Sequence, residues 1–345
     1  MSTILSAKKL RGSLKMLADV GGRDGLIGQY FILGNDRQRA AYWRLKSRLR
    51  RADWERRRQL ATQLPHADDL AIPRDVGFIR LAPGRFPEVP QIVHAARALV
   101  QSIDARASRK NSKNYLYGGL LDNAALSPES PFVRFALRAD LIAAVSTYMG
   151  ALPVLADIDI LVSPSPEPGA APEGSQLYHC DWDDVSQIKV FVYASDVRDP
   201  AGGPLTLLDA RSSQSVRDRL DYRYGYTFRV RHGLGESLDA RAASPHPAAR
   251  YNPTRVRVPD EDMHDLVGAG AAQALMGASE TVILADTSRC FHLGSRVDHR
   301  ATPRVVVAFQ YVTASSFLRS KLAPSFSRIA SRDLTEIQRR VLGAT

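Results

Sequence analysis

The feature of this sequence that most restricts its fold is a series of short apolar runs between Val154 and Thr313, separated by turns rich in glycine and proline. Strands are predicted at 154–162, 175–182, 187–195, 204–209, 281–285 and 304–313. Helical patterns precede this region instead of alternating with it. Many short strands joined by such turns indicate a sandwich or a barrel, and the segregated helices argue against a doubly wound parallel sheet.

Helical patterns flank the β region and suggest three parts of the chain. Helices are predicted at 3–18, 37–62, 88–105, 131–148 and 333–343. Pro131 suits the first turn of its helix, and Gly150 suits the end of it. We expect a basic helical N-terminal extension over 1–72, a β domain over 73–318 with a lid-like insertion over 211–275, and a helical C-terminal tail over 319–345.

The positive charge of the chain is concentrated near its N-terminus. The sequence has 47 Lys and Arg against 36 Asp and Glu, a net charge of +11. Residues 1–58 alone hold 15 basic and 5 acidic residues. A solvated basic helix face is the simplest interpretation. A patch for nucleic acid, anionic lipid or an acidic partner is the alternative, and residues 1–18 also have the character of a mitochondrial transit peptide.

Three further features of the sequence concern the cellular location of the protein. No apolar run approaches the roughly 18 residues that a membrane-spanning helix needs, and no secretory signal is visible near the N-terminus. The two cysteines, Cys180 and Cys290, are too few for a disulfide framework. We therefore expect a reduced, cytoplasmic protein without a membrane span. The sequence does not indicate an oligomeric state.

A candidate metal site lies in the tripeptide His179-Cys180-Asp181. Side chains two residues apart on a strand face the same way, so His179 and Asp181 can bind one cation while Cys180 points to the other side. The same spacing occurs at 66–68, but that copy follows a charged helix and no apolar strand comes after it, so we interpret it as surface. The alternative for Asp181 is a role in the turn that follows.

A third ligand has to come from a distant part of the chain. The candidates are His232, His246, His264, His292 and His299. His292 is favoured because it follows the apolar strand predicted at 281–285, although a histidine in that position can also be a hydrogen-bonded core residue. Two histidines and one carboxylate form a facial triad, which leaves coordination positions open for the oxygen chemistry of non-haem Fe(II).

Arg304 opens the last predicted strand, 12 residues after His292. A buried arginine at the start of an apolar strand is costly unless an acid pairs with it. Its planar, permanently charged fork suits the distal carboxylate of a dicarboxylic acid. Arg300 is a rival for this role, and Asp286 is an alternative internal partner for Arg304.

Together these motifs resemble the phytanoyl-CoA dioxygenase-like family of Fe(II)/2-oxoglutarate-dependent oxygenases. The resemblance covers about residues 74–318. It rests on four motifs in this order: His179-Cys180-Asp181, the strand 189–193 with Asp196-Val197 and Gly202-Gly203-Pro204, His292-Leu293-Gly294-Ser295, and Arg304. The family implies a mainly β fold, a double-stranded β-helix (a cupin-like jelly roll), with N-terminal helices packed on one sheet.

The resemblance also implies roles for particular residues. Iron would be bound by His179, Asp181 and His292, and the distal carboxylate of 2-oxoglutarate would lie on Arg304. Tyr193 is expected to line the same pocket. Related oxygenases often have a hydroxyl two residues after the arginine, where this chain has Val306. Another hydroxyl is therefore needed to complete the carboxylate site, and the candidates are Ser295, Tyr115 and Tyr117.

The implied activity is hydroxylation of a small organic, natural-product or lipid-like substrate. It would use Fe(II), 2-oxoglutarate and O2, release succinate and CO2, and have ascorbate as a candidate accessory reductant. The presence of Asp181 favours hydroxylation over halogenation, because related halogenases lack this carboxylate. Desaturation and ring formation stay open, as does the substrate. The alternatives are a nucleic-acid-modifying oxygenase, suggested by the basic N-terminus, and a non-enzymatic metal-binding barrel.

Overall fold

The fold is formed by two antiparallel sheets, with helices before, between and after the strands. A computed structural model describes residues 31, 34–102, 115–123, 126–220, 222–224, 257–317, 320–326 and 334–343. The helix predicted at 3–18 and the central part of the predicted lid, 225–256, lie outside the described residues. The described strands are β1 (Phe78–Leu81), β2 (Val154–Ser163), β3 (Gln187–Tyr193), β4 (Leu205–Leu207), β5 (Gln273–Leu275), β6 (Val282–Asp286), β7 (His292–Leu293) and β8 (Arg304–Val312).

The described helices lie mostly outside the sheets. They are α1 (Asp36–Leu49), α2 (Arg51–Ala61), α3 (Val89–Ser102), α4 (Pro131–Ala136), α5 (Ala139–Met149), α6 (Ala210–Leu220), α7 (Asp260–Val267), α8 (Ala323–Phe326) and α9 (Glu336–Val341). Within the described part of the chain, no helix is both long and apolar enough to cross a membrane.

The strand pairs are nested, which is the connectivity of a jelly roll. The larger sheet has the order β1-β6-β3-β8-β2 and the smaller one the order β5-β4-β7. Residue His179 bridges His292 and so adds the segment before β3 to the smaller sheet, next to β7. From the outside inward, β2 pairs with β8, this segment with β7, β3 with β6, and β4 with β5. The predicted double-stranded β-helix is confirmed.

The central strands are mostly apolar because both of their faces are largely buried, with Gln187 and Lys189 on β3 and Arg304 and Gln310 on β8 as polar exceptions. On β3, Ile188, Val190 and Val192 pack against the helices. Phe191 and Tyr193 point the other way and pack between the two sheets. Strand β8 alternates in the same manner. A largely apolar run is therefore what a strand in this position needs, in agreement with the sequence prediction.

The N-terminal helices are joined to the barrel and to the C-terminal tail. Leu60 of α2 belongs to the main core. Arg57 is buried and donates hydrogen bonds to the carbonyl oxygens of Pro153 (3.1 Å) and Arg340 (3.0 Å). Its neighbour Arg56 forms an ion pair with Glu336. The described part of the segment predicted as an N-terminal extension thus packs directly on the β domain.

Two predicted helices are each divided in the structure. The helix expected at 37–62 ends at Leu49 and begins again at Arg51, because the backbone of Arg50 leaves the helical conformation (φ −111°, ψ 28°). The helix expected at 131–148 is likewise two helices, α4 and α5. Neither break lies at a glycine or a proline, so the apolar pattern runs through both. Gly150 ends α5 in the left-handed conformation, as predicted (φ 81°).

The strand predicted at 175–182 is not a regular strand. Its first part is a 3₁₀ helix over Gly174–Gln176. After it, successive backbone N–H groups donate to four different acceptors: Val258 O, His292 O, the Tyr222 hydroxyl and Thr287 O. Such a segment makes single bridges instead of a ladder. The range predicted as a lid, 211–275, includes strand β5 as well as α7 and most of α6.

Candidate metal and dicarboxylate site

Three predicted ligands, His179, Asp181 and His292, lie together inside the barrel. One potential ligand atom from each lies within 4.8 Å of the others. The Nε2 atom of His179 is 3.8 Å from Oδ1 of Asp181, and that of His292 is 3.8 Å from Oδ2. The two imidazole ring centroids are 4.2 Å apart. A divalent cation between these atoms would have two nitrogen ligands and one oxygen ligand.

The backbone explains why these side chains meet. His179 and His292 form a reciprocal pair of hydrogen bonds, His179 N to His292 O at 3.0 Å and His292 N to His179 O at 2.9 Å. Directly paired residues of antiparallel segments project to the same face. Asp181 projects to that face as well, and its N–H donates to Thr287 O at 2.7 Å. The candidate metal site therefore depends on the backbone pairing of two segments that are far apart in the sequence.

Both histidines present the nitrogen that a metal needs. The Nδ1 atom of His179 lies 2.9 Å from Leu177 O, and Nδ1 of His292 lies 3.1 Å from Cys290 O. A carbonyl oxygen can only accept, so each Nδ1 carries the hydrogen and each Nε2 has a free lone pair. Burial lowers the pKa of both imidazoles and keeps them neutral.

The carboxylate of Asp181 is charged despite its burial. Burial by itself raises the pKa of Asp181, but the ammonium of Lys189 and the two neighbouring imidazoles outweigh it and bring the pKa well below its usual range. Lys189 Nζ donates to Asp181 Oδ2 at 2.7 Å. Two neutral imidazoles and one ionised carboxylate are the protonation states in which these groups bind a metal.

Arg304 lies in the interior without an acidic partner. It is 6% exposed and forms no ion pair with any described carboxylate. Its guanidinium donates to Gly203 O, to Ser295 Oγ at 3.2 Å and to Ser163 Oγ at 3.4 Å, while its Nε has no hydrogen-bond partner among the described residues. Burial lowers the pKa of Arg304. An orphaned donor on a buried cation is what a bound carboxylate would satisfy.

The alternatives to Arg304 lie elsewhere. Arg300 is exposed and contacts His299. Arg296 forms a double hydrogen bond with Asp260. Asp286, the proposed internal partner, accepts instead from Ser186 Oγ and from nearby backbone N–H groups. Of these three arginines, Arg304 is the one that lies in the interior, and it has no described counter-ion.

The hydroxyls around Arg304 correspond only in part to those predicted. Ser295 contacts the guanidinium, and it does so from a left-handed backbone conformation (φ 65°). Ser163 was missed, because its contact depends on the register that pairs it with Arg304 across β2 and β8. Gly203 has to be glycine, since a Cβ there would lie 2.8 Å from the backbone of Arg296. This close approach brings its carbonyl to Arg304.

Tyr193 lies close enough to Arg304 to interact with its charge, although the described hydrogen bonds of the three predicted tyrosines go to other residues. Tyr193 is buried, donates its hydroxyl hydrogen to Leu275 O (2.7 Å) and accepts from Leu205 N (3.1 Å). Tyr115 accepts a hydrogen bond from Ser175 N (2.9 Å), and Tyr117 pairs with Val162. Tyr115 and Tyr117 also line a cavity of about 950 Å³ with loop residues that follow Ser163 and Ser295. Arg304 itself is not among the described residues that line this cavity.

The known proteins that resemble this chain are only distantly similar to it. No protein-family model matches the chain, and no curated protein matches it in sequence. Among solved structures, EctD from S. alaskensis with bound Fe has a TM-score of 0.46 at 19% identity and covers 75% of this chain and 80% of its own. HygX from Streptomyces hygroscopicus with nickel and 2-oxoglutarate bound has a TM-score of 0.42 at 17% identity, with coverages of 70% and 84%.

A third similar structure is SnoN, a non-heme alpha ketoglutarate dependent epimerase from nogalamycin biosynthesis, with a TM-score of 0.43, 16% identity and coverages of 70% and 80%. At these values of identity and TM-score, the resemblances do not assign an activity to this chain. The activity has to be inferred from the residues of the site.

Proposed function

We propose that this protein is an Fe(II)- and 2-oxoglutarate-dependent oxygenase that hydroxylates a small organic, natural-product or lipid-like molecule. The proposal rests on two features inside the same barrel. One is a group of two neutral histidines and one ionised aspartate, and the other is a buried arginine, Arg304, without a described counter-ion. His292 and Ser295, which belong to the two features, are three residues apart on one segment. The triad suits Fe(II), and the arginine suits the distal carboxylate of 2-oxoglutarate.

The residues of the site have two different roles. His179, Asp181 and His292 would hold the metal on one side and leave the other open. Arg304, with Ser163 and Ser295, would fix the orientation of 2-oxoglutarate. When bound, the metal and 2-oxoglutarate supply oxidative decarboxylation, so that O2, substrate and 2-oxoglutarate give hydroxylated substrate, succinate and CO2.

The basic N-terminal helices have both buried and exposed charges. Arg39 and Arg57 are buried, and Lys46 and Arg50 donate to the carbonyl oxygens of Ser316 and Ala314. Five further arginines of these helices are exposed: Arg37, Arg44, Arg48, Arg51 and Arg58. We retain a small molecule as the proposed substrate class because the triad and Arg304 lie inside the barrel.

The first prediction tests the proposal by anaerobic titration with Fe(II) and 2-oxoglutarate. We expect a weak visible charge-transfer band at about 500 nm in the wild-type protein. Asp181→Ala should abolish the band. Arg304→Met should weaken 2-oxoglutarate binding about 100-fold, because a charge-assisted double hydrogen bond contributes about 3 kcal/mol.

The matched control is Arg300→Met, which removes an exposed arginine from the loop before β8 and should leave the band unchanged. A screen of candidate substrates for succinate formation then tests turnover. Folded wild-type protein without the band and without succinate formation would favour the non-enzymatic metal-binding barrel. Full activity in Asp181→Ala would show that the ligand assignment is wrong.

A further inference from the structure

Lys189 directly contacts the carboxylate of the metal triad. Its Nζ lies 2.7 Å from Oδ2 of Asp181, and its side chain is 22% exposed. The residue is in β3, the central strand of the larger sheet, which pairs with both β6 and β8. A lysine on the middle strand of a barrel is costly to bury, so its position beside a candidate ligand requires an explanation.

A second donor binds the same carboxylate oxygen. Gln187 Nε2 donates to Asp181 Oδ2 at 3.0 Å and to Thr287 Oγ1 at 2.8 Å. The Oε1 atom of Gln187 in turn accepts from Gln310 at 2.9 Å. Oδ2 is therefore engaged by two donors that are fixed by neighbouring strands. Each oxygen lies 3.8 Å from one ligand nitrogen, Oδ1 from His179 Nε2 and Oδ2 from His292 Nε2, but Oδ1 has no hydrogen bond to either of these donors.

We propose that Lys189 is a positioning residue that holds Oδ2 and so makes Asp181 a one-oxygen ligand of the metal. The inference rests on the proposed function, because the number of open positions matters only if a chelating cosubstrate and O2 share the metal. Of six positions, two histidines and one carboxylate oxygen take three. A keto acid bound through two oxygens and O2 need the other three. A second oxygen from Asp181 would take one of these.

The charge of Lys189 has a separate consequence for metal affinity. The ammonium lies on the carboxylate that the cation also binds, so the two positive charges repel each other in a medium of low dielectric constant. Removing the charge should strengthen metal binding. A side chain with a merely structural role would have the opposite effect, because its loss would disorder Asp181 and weaken metal binding.

Three substitutions separate charge from hydrogen bonding. Lys189→Met removes both, Lys189→Gln removes the charge but keeps a donor, and Lys189→Arg keeps both. The readouts are the dissociation constant of Mn(II), measured by electron paramagnetic resonance, and that of 2-oxoglutarate for the Mn(II)-loaded protein. Thermal unfolding and circular dichroism identify any variant that does not fold.

We expect Lys189→Met and Lys189→Gln to bind Mn(II) about tenfold more tightly than wild type. In Lys189→Met the affinity for 2-oxoglutarate should fall about tenfold or more, because Oδ2 keeps only the neutral Gln187 donor and can then also bind the metal. In Lys189→Gln it should stay within about threefold of wild type, and Lys189→Arg should restore both constants. Unchanged or weaker Mn(II) binding in folded Lys189→Met would overturn the proposal, and so would equal 2-oxoglutarate affinities in the Met and Gln variants.

The two measurements also separate this proposal from the proposed function. The Mn(II) constants do not involve 2-oxoglutarate. If wild-type protein binds Mn(II) but no 2-oxoglutarate, the oxygenase proposal fails, while the Mn(II) series still decides whether the charge of Lys189 opposes the metal. If 2-oxoglutarate binds normally in all three variants, the oxygenase proposal stands and the positioning role fails.

Discussion

Asp181 is a partly buried and Arg304 a buried charged residue, but only Asp181 has a described counter-ion. Asp181 is paired with Lys189 at 2.7 Å. Arg304 has only neutral acceptors, and one of its N–H groups is unsatisfied among the described residues. Leaving a buried cation without a partner costs several kcal/mol. An anion bound next to Arg304 would give the guanidinium a partner and so offset this cost.

The candidate metal ligands and the carboxylate-binding arginine could be identified from the sequence, but Lys189 and Ser163, which contact them, could not. His179, Asp181 and Arg304 were identified because their residue types have few uses inside a barrel. The contacts of Lys189 with Asp181 and of Ser163 with Arg304 depend on strand register and on the path of a loop. Lysine and serine are common residues, so nothing in the sequence singled them out.

Asp159 leads to a prediction on pH dependence. Burial, only partly offset by the N–H of Gly119, raises the pKa of Asp159 to about 6, from an ordinary value of 3.8. A carboxyl with a raised pKa binds its proton more tightly when folded. The folded protein should therefore lose stability as the pH rises from about 4 to about 6, by on the order of 2–3 kcal/mol from this group.

The measurement is urea unfolding of wild type and Asp159→Asn at several pH values. The amide oxygen of Asn can still accept from Gly119 N, but the side chain does not titrate. The stability of the variant relative to wild type should rise between about pH 4 and about pH 6.5 and then level off. A difference that stays constant over this range would contradict the assigned cause.

At the scale of secondary-structure elements, helix α1 lies against the turn that carries Asp181. Arg39 is buried and donates to the carbonyl oxygens of Trp182 and Asp184, on the C-terminal side of Asp181. Its guanidinium also lies 3.8 Å from the ring centroid of Tyr224. Farther along α1, Trp43 donates to Thr313 Oγ1 at 2.9 Å. The helix thus fixes both the ligand turn and the segment after β8.

We predict that Arg39→Met lowers both stability and metal affinity. Two buried carbonyl groups would lose their donor, which costs about 2–3 kcal/mol. The turn after Asp181 would be less restrained, so Mn(II) binding should weaken about tenfold. Urea unfolding and Mn(II) titration measure the two effects.

Arg37→Met is the matched control, because Arg37 is exposed on the same helix. It should change neither stability nor Mn(II) affinity. If Arg39→Met lost stability but bound Mn(II) as wild type does, α1 would support the fold without supporting the metal site.

The sequence predicted the regular strands well and the irregular segments poorly. Strands β3, β6 and β8 were predicted closely because they are largely apolar and buried on both faces, and β2 because its buried and partly exposed residues alternate. The segment of His179 was predicted as a strand and is a series of single bridges, since its partners lie in four different parts of the chain. The break between α1 and α2 was missed because helix propensity continues through Arg50, and only the two packing directions require it.

At the scale of the whole molecule, the nested pairing brings the two halves of the site together. His179 and His292 are far apart in sequence and adjacent only because the segment before β3 pairs with β7. The sequence indicated a barrel and the order of its motifs, but the pairing of particular strands is a long-range property that local patterns do not encode. A cation bound at this bridge would link the segments before and after the insertion.

Metal binding should therefore stabilise the whole fold. A ligand that binds only the folded state adds about 2.7 kcal/mol at a concentration of 100 times its dissociation constant. For a chain of this size we expect Mn(II) to raise the Tm by roughly 5 °C relative to protein in EDTA. His292→Ala removes a ligand from the β7 side of the bridge and should abolish the shift. His66→Ala, which alters the exposed histidine of the other His-x-Asp tripeptide, should retain it. A shift of equal size in His292→Ala would mean that the stabilising cation binds elsewhere on the molecule.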